Sequence, residues 1–288
     1  MNRLPQPIYD DSLALENLAN NPRVRSYPNL QTTVAAIQEG YTQYEAVRGN
    51  AFNVTNVPIT DAEGSYLKAH YQDPPSDLEH IKTLRKNSEH HLCPMCGSFH
   101  CGTLDHLLPK KGYEAFAVFS LNLVPACKCN SIRKETLKGS QPGERILHPY
   151  FDDCLTERLL AAQFEDLGPV PRVKLRLCID NTHPEHAAIA YHVRSIVERT
   201  AITNYLRDRW IVLCRKPSLV VRSLRHNPPT SAALRELLIE ELEQLDDLHR
   251  GKNNWDSIFI VGLLDQDVLE WVFQHISIPG RVENSPLI

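Results

Sequence analysis

No apolar run in this chain approaches the ~18 residues that a membrane-spanning helix needs. The longest, around Ile258 to Leu264, has the length of a buried strand or helix. The N-terminus, Met-Asn-Arg-Leu-Pro-Gln-Pro, lacks the apolar core of a signal peptide, so cytoplasmic residence without a membrane is the expectation. No Gly-x-x-x-x-Gly-Lys loop is present, which excludes a P-loop nucleotidase, and no Gly-x-Ser-x-Gly element marks a serine hydrolase. Internal repeats and low-complexity segments are also missing. Eight cysteines in a chain of this length, with no secretory leader, do not describe a disulfide scaffold.

What remains is an ordinary globular composition: 288 residues, 42% hydrophobic and 23% charged, with room for about two domains. The net charge of −4 argues against a nucleic-acid partner only if charge is spread evenly. It is not. Residues 81–140 hold nine Lys/Arg against four Asp/Glu, a local +5 that leaves −9 for the rest.

The first 85 residues read as mainly helical, with helices over Ser12–Asn20 and Leu30–Val47. A break follows at Asp73-Pro74-Pro75, and Asp77 is placed to cap a helix through Leu84. Gly139 to Gly143 reads as a linker, Leu155 to Phe164 as a helix, and Arg172 to Ile179 as a strand of period two. A long helix is predicted from Pro184 to about Leu213. An acidic amphipathic helix is predicted from Ser231 to His249, with its carboxylates on a solvated face. The predicted fold class is α+β, in three parts: a helical region 1–85, a small metal-stabilised module 86–140 and an α/β region 141–288.

The module carries the chemistry. Cys93 and Cys96, in Cys-Pro-Met-Cys-Gly, and Cys127 and Cys129, in Cys-Lys-Cys, are two thiolate pairs able to complete a tetrahedral zinc site. Such a clamp stabilises a module with few core residues. The competing reading of Cys93 and Cys96 is a thioredoxin-like redox pair, which needs a preceding strand and a helix starting at the first cysteine. The one-residue gap leaves the fourth ligand open between the later cysteines, Cys101 and His100. Cys154, Cys178 and Cys214 read as free thiols in apolar surroundings.

Asp105-His106 stands between the two pairs. Phosphodiester hydrolysis needs an activated water and stabilised phosphate charge. An imidazole can take the proton at neutral pH, and a neighbouring carboxylate can hold a divalent ion against phosphate oxygens. Neighbours in a strand point to opposite faces, so a strand end is needed here, and Pro109 follows closely.

The combination Cys93-Pro-Met-Cys96-Gly, Leu104-Asp105-His106-Leu-Leu-Pro109-Lys110, Asn122-Leu-Val-Pro-Ala-Cys127 and Cys129-Asn130 resembles the HNH endonuclease family of ββα-metal nucleases, over roughly residues 88–140. The resemblance implies His106 as general base and Asp105 and Asn130 as holders of a catalytic Mg²⁺ or Mn²⁺. It also implies a structural Zn²⁺ on Cys93, Cys96, Cys127 and Cys129. Asn122 would fix the inter-strand loop and so orient His106. Lys134, one helical turn beyond Asn130, would face phosphate. Cys127-Lys-Cys129 departs from the family's usual Cys-x-x-Cys at that point.

Lys110, Lys111 and Arg133 are further candidate phosphate contacts. His148, in Leu-His-Pro-Tyr-Phe, is a candidate for packing over the module's edge, and His90 and His91 are expected to be exposed. The function expected is a metal-dependent endonuclease with DNA as partner. The resemblance extends this to an effector in bacterial antiphage defence, with an ATPase or sensor subunit as partner. The alternatives are a catalytically inactive zinc-stabilised nucleic-acid-binding or scaffold protein, and a redox protein using Cys93 and Cys96.

Overall fold

A computed structural model of the chain describes residues 1–88 and 92–288. His90 and His91 lie outside the described residues. The architecture is α+β, with helices at both ends and two small antiparallel sheets between them.

Four helices open the chain: α1 (Asp11–Asn20), α2 (Val34–Ala46), α3 (Asp61–Gln72) and α4 (Glu79–Ser88). Their starts are chemically marked. The Asp10 carboxylate accepts from the Leu13 amide, and Thr60 with Glu63 forms a reciprocal capping box. Asp73-Pro74-Pro75 ends α3, as expected. Asp77 is not the cap of α4. It lies inside a short 3₁₀ turn, Ser76–Leu78, and its carboxylate accepts from Asn21 Nδ2 at 2.7 Å.

β1 (Thr103–His106) and β2 (Leu123–Ala126) pair antiparallel, with Thr103 opposite Ala126 and His106 opposite Leu123, and α5 (Lys128–Arg133) follows directly. The N-terminal helices pack on this pair and on its connecting loop. The loop is also tied down by Asp11, whose carboxylate accepts from the Ser120 amide at 3.0 Å and from its hydroxyl at 2.5 Å.

Three expectations fail beyond residue 138. Leu155–Phe164 is not a helix: a 3₁₀ turn at Asp153–Thr156 leads into strand β3 (Leu160–Glu165), which pairs along its whole length with β4 (Arg172–Leu177). Tertiary packing overrides the helical preference of Leu-Ala-Ala. A later helix lies on this strand at Gly262, where a Cβ would meet the Ala162 carbonyl oxygen at 2.6 Å and the Ala162 Cβ at 2.7 Å. The long helix from Pro184 is broken into α6 (His186–His192), a π-turn at Val193–Val197 and α7 (Ile202–Arg215). Gly139 to Gly143 is a tight turn rather than a free linker, closed by an isolated bridge between Lys138 and Arg145.

α8 spans Ser231–His249 as expected, burying Leu234 and Leu238 and leaving most of its carboxylates to solvent. It ends on Arg250 in the left-handed conformation. α9 (Trp255–Leu263) and α10 (Gln266–Ile276) complete the chain, α9 being the helix that covers β3. Buried apolar residues from all three segments expected above belong to one contiguous cluster. No described helix is long and apolar enough to cross a membrane.

Candidate active site and metal centre

Four sulfurs converge where β2 enters α5. Cys93 Sγ lies 3.6 Å from Cys129 Sγ, Cys96 Sγ lies 3.4 Å from Cys127 Sγ, and all four lie within 4.8 Å of one another. A tetrahedron with Zn–S bonds of about 2.3 Å has sulfur–sulfur edges of about 3.8 Å, so the donor set fits zinc or a similar thiophilic ion. The short Cys-x-Cys spacing is absorbed by helix geometry. Cys127 is the N-cap of α5, its sulfur accepting from the Cys129 amide, and Cys129 sits in the first turn. Cys101 is buried nearby but lies outside the quartet, as does His100.

The C-terminal region braces this centre. His192 donates from Nε2 to the Met95 carbonyl at 2.7 Å and accepts the Leu147 amide on Nδ1. Trp255 Nε1 donates to the Cys96 carbonyl at 2.8 Å. Gly97, at φ +79°, lets the chain approach: a Cβ there would sit 2.1 Å from the Asn253 carbonyl oxygen.

Asp105 and His106 end β1, and the strand end brings both to one place. The His106 ring is almost fully buried. Its Nε2 faces the Ala117 carbonyl at 2.8 Å. A carbonyl only accepts, so Nε2 carries the hydrogen and, in the neutral ring, Nδ1 carries the lone pair. Burial lowers the His106 pKa, which favours that neutral form. Nδ1 has no hydrogen-bond partner and lies 3.7 Å from Asp105 Oδ1, screened from bulk solvent. A water can reach Nδ1 only if a surrounding side chain moves. Burial raises the Asp105 pKa, but hydrogen bonds from the His106 backbone amide, 2.8 Å from Oδ1, and from Asn130 hold the carboxyl low. It is therefore an anion at any working pH.

Asn122 is wholly buried. Its Oδ1 accepts from the Leu108 amide at 2.8 Å, and its Nδ2 donates to the Leu108 and Phe116 carbonyls, both at 3.1 Å. Behind it stand two residues from outside the module. Tyr44 on α2 donates its hydroxyl hydrogen to Asn122 Oδ1 at 3.2 Å, and its oxygen lies 3.0 Å from His148 Nε2. His148 accepts the Tyr150 amide on Nδ1, so Nε2 carries the hydrogen, and burial lowers its pKa to about 3. The chain His148–Tyr44–Asn122 thus runs in one direction with every position satisfied. His148 reaches the module through Tyr44 and Asn122.

Asn130 is close to Asp105, but its amide is turned away from the role of metal ligand. Arg133 Nε, which can only donate, holds Asn130 Oδ1 at 2.5 Å. Asn130 Nδ2 faces the His106 carbonyl at 3.3 Å and also hydrogen-bonds the Asp105 carboxylate. Asn130 therefore orients Asp105 rather than offering an oxygen to an ion. Asp105, partly exposed, is the group here with a carboxylate oxygen that could be given to a hard divalent ion.

The basic residues divide. Arg133 is buried, and besides Asn130 it binds the carbonyls of Thr136 (3.1 Å), His106 (2.9 Å) and Leu107 (2.6 Å). It is a strut under the end of β1, which corrects the expectation of a phosphate contact. Lys134 does not continue α5 to face the way of Asn130. It is the C-cap, at φ 56°, and leaves the helix there. Lys111 is exposed, with Glu135 at 3.5 Å. Lys110 lies at the site, its Nζ 4.6 Å from the centroid of the Tyr71 ring, and burial lowers its pKa.

Tyr71 was not legible beforehand. From the end of α3 it sets its ring at 67° to His106, with centroids 4.2 Å apart, and its hydroxyl donates to the Leu104 carbonyl. Arg85 of α4 lies over the same ring at 4.7 Å, and Lys68 of α3 is close enough to depress Lys110. The helical N-terminal region thus supplies a wall and a cationic rim to the Asp105–His106 site. Nothing in the spacing of α3 or α4 marks these positions.

A stretch of 62 residues, 21% of this chain and 21% of the relative's, is 37% identical to "Protein ea31" of Escherichia phage lambda. The chain thus matches about a fifth of that protein's length. No known family profile matches the chain, and no solved structure matches it.

Proposed function

We propose that this protein is a metal-dependent HNH-type endonuclease that hydrolyses phosphodiester bonds, with DNA as the favoured substrate. The observation that carries the reading is the bare, unpartnered Nδ1 of a buried neutral His106 beside an anionic Asp105, at the end of the strand that follows the first cysteine pair. In this reading the strand pair and α5 form the ββα module, and zinc on the four cysteines is structural. A divalent ion on Asp105 would supply charge stabilisation on the phosphate. His106 Nδ1 takes the proton of the attacking water. The Ala117 carbonyl holds the ring in the reactive tautomer, and Asn122 fixes the loop that carries that carbonyl. Asn130 aims the Asp105 carboxylate, and Lys110 is the cation nearest the scissile phosphate. The module's helix and second strand would lie along the backbone, so cutting should show little sequence preference from this segment alone.

Cleavage of supercoiled plasmid, single-stranded DNA and RNA in Mg²⁺ or Mn²⁺ tests this against His106→Ala and Asp105→Asn. Cutting by the wild type that disappears in both folded variants is the expected result. Equal cutting by wild type and His106→Ala would remove the base assignment.

The screened Nδ1 and the turned Asn130 oxygen also suit a second reading, a zinc-stabilised nucleic-acid-binding protein without catalysis. That protein would bind the same substrates and cut none of them under any metal. The effector role in antiphage defence, with an ATPase or sensor subunit docked on the N-terminal helices or on α8, belongs to the first reading. Plaque counts on cells carrying wild type or His106→Ala test it, equal counts being the refuting outcome.

A further inference from the structure

Far along the chain from the Asp105–His106 motif, the segment from Arg215 to His226 carries four Lys/Arg and no Asp or Glu in a protein of net charge −4. It follows α7 as two 3₁₀ turns, Pro217–Leu219 and Arg222–Arg225. Pro217, Val220, Val221 and Leu224 are buried and anchor it. Between these anchors Lys216, Leu219, Arg222 and Arg225 point outward into an open cleft of about 710 Å³. The far side of the cleft is Glu283 and Asn284.

The cations of this cleft make no ion pair, although Glu283 lines it and the Glu241 carboxylate accepts the Arg222 amide. Among the described residues neither Lys216, Arg222 nor Arg225 has a side-chain hydrogen bond or ion pair. The one carboxylate in the lining, Glu283, is already engaged. Its Oε2 pairs with His226 Nδ1 at 3.0 Å, and its Oε1 accepts the Asn227 amide at 3.3 Å. Asn284 Oδ1 accepts the Ser218 amide at 3.0 Å, which ties the two walls together. Like charges gathered on anchored turns repel one another unless an anion lies between them. The cleft is too open to enclose a small anion, and its cations come from two successive turns. No Phe, Tyr or Trp lines the cleft for base stacking, while Leu219, half exposed, offers an apolar floor for a sugar.

We propose that this cleft is a second nucleic-acid contact, binding the phosphate backbone of the substrate without reading its bases. The proposal rests on the nuclease reading for the identity of its ligand, but it is a statement about binding and does not depend on cutting.

The test is fluorescence anisotropy of labelled duplex and single-stranded oligonucleotides with the full chain in buffer free of Mg²⁺ and Mn²⁺, over 50 to 200 mM salt. Wild type is compared with Arg222→Ala/Arg225→Ala, with Arg222→Glu/Arg225→Glu, and with Arg23→Glu/Arg25→Glu as an equal charge change on an exposed turn elsewhere. Two phosphate contacts are expected to account for about 2 units of the salt slope. The advantage of wild type over the alanine pair should therefore shrink about 12-fold between those salts. The glutamate pair should bind more weakly still, and the control pair should bind as wild type. Equal binding by wild type and the cleft variants overturns the proposal, as does equal loss in cleft and control variants. Absence of binding by wild type overturns it too. Plasmid cutting, read separately, then decides the fate of the nuclease reading.

Discussion

Replacing Arg133 by methionine separates a strut from a phosphate contact. The guanidinium donates to four buried or partly buried acceptors: Asn130 Oδ1 and the carbonyls of Thr136, His106 and Leu107. Burial lowers its pKa to about 10, still well above neutrality, so it is a buried cation at pH 7. Hydrogen bonds from a charged donor contribute about 1.5–3 kcal/mol each, and acceptors left dry cost about as much. Methionine fills most of the volume and recovers the several kcal/mol spent on desolvating the charge. The net loss should be about 3 kcal/mol, or a fall in Tm of about 6–12 °C at ~2–4 °C per kcal/mol. Thermal melts by circular dichroism read this directly. The salt slope of DNA binding, taken on the folded variant without Mg²⁺ or Mn²⁺, should not change. An unchanged Tm together with a slope smaller by about one would refute the reasoning and return Arg133 to the substrate surface.

Two further outcomes follow from the same geometry. Metal analysis of the native protein should find about one zinc per chain. Cys93→Ser and Cys127→Ser should lose it along with the cooperative melt, while Cys101→Ser, outside the quartet, should keep it. Burial lowers the pKa of His192 to about 4 and of His148 to about 3, so both are neutral when folded and charge more readily when unfolded. Their stability contribution is complete above pH ~6.5 and falls by about 1.4 kcal/mol per histidine per pH unit below it. Urea midpoints from pH 7 to 4.5 should show this slope, and His192→Gln should make it shallower by one group's share. An identical acid slope in that variant would remove His192 as a contributor.

The chemistry-bearing spacing was legible because it is local. Cys93 with Cys96, Cys127 with Cys129, and Asp105 with His106 are each fixed within one turn or one strand end, where the sequence states the geometry almost directly. α8 was legible for the same reason, its apolar positions repeating over many turns. What was hidden depends on distant partners. Leu160–Glu165 carries a helical composition and becomes a strand because β4 pairs with it and α9 covers it. Arg133 looks like any basic residue on a short helix until β1 ends above it. Tyr71 and Tyr44 reach the site from helices that show no pattern beyond amphipathicity. The orientation of the Asn130 amide is set by a neighbour's donor, which residue type alone cannot convey.

The hydrogen bonds from Trp255 and His192 to the turn that carries Cys93 and Cys96 have a consequence in time. The last cysteine of the quartet leaves the ribosome about 126 residues before Trp255 does. At ~5–20 residues per second, that is an interval of roughly 6–25 s in which the thiols are out and their brace is not. Whether the quartet takes an ion or stays as four crowded thiols, the nascent chain must manage it on its own. For a quartet that holds zinc, the arrival of the C-terminal helices closes over the centre, and metal supply during synthesis, rather than afterwards, should govern the yield of folded protein.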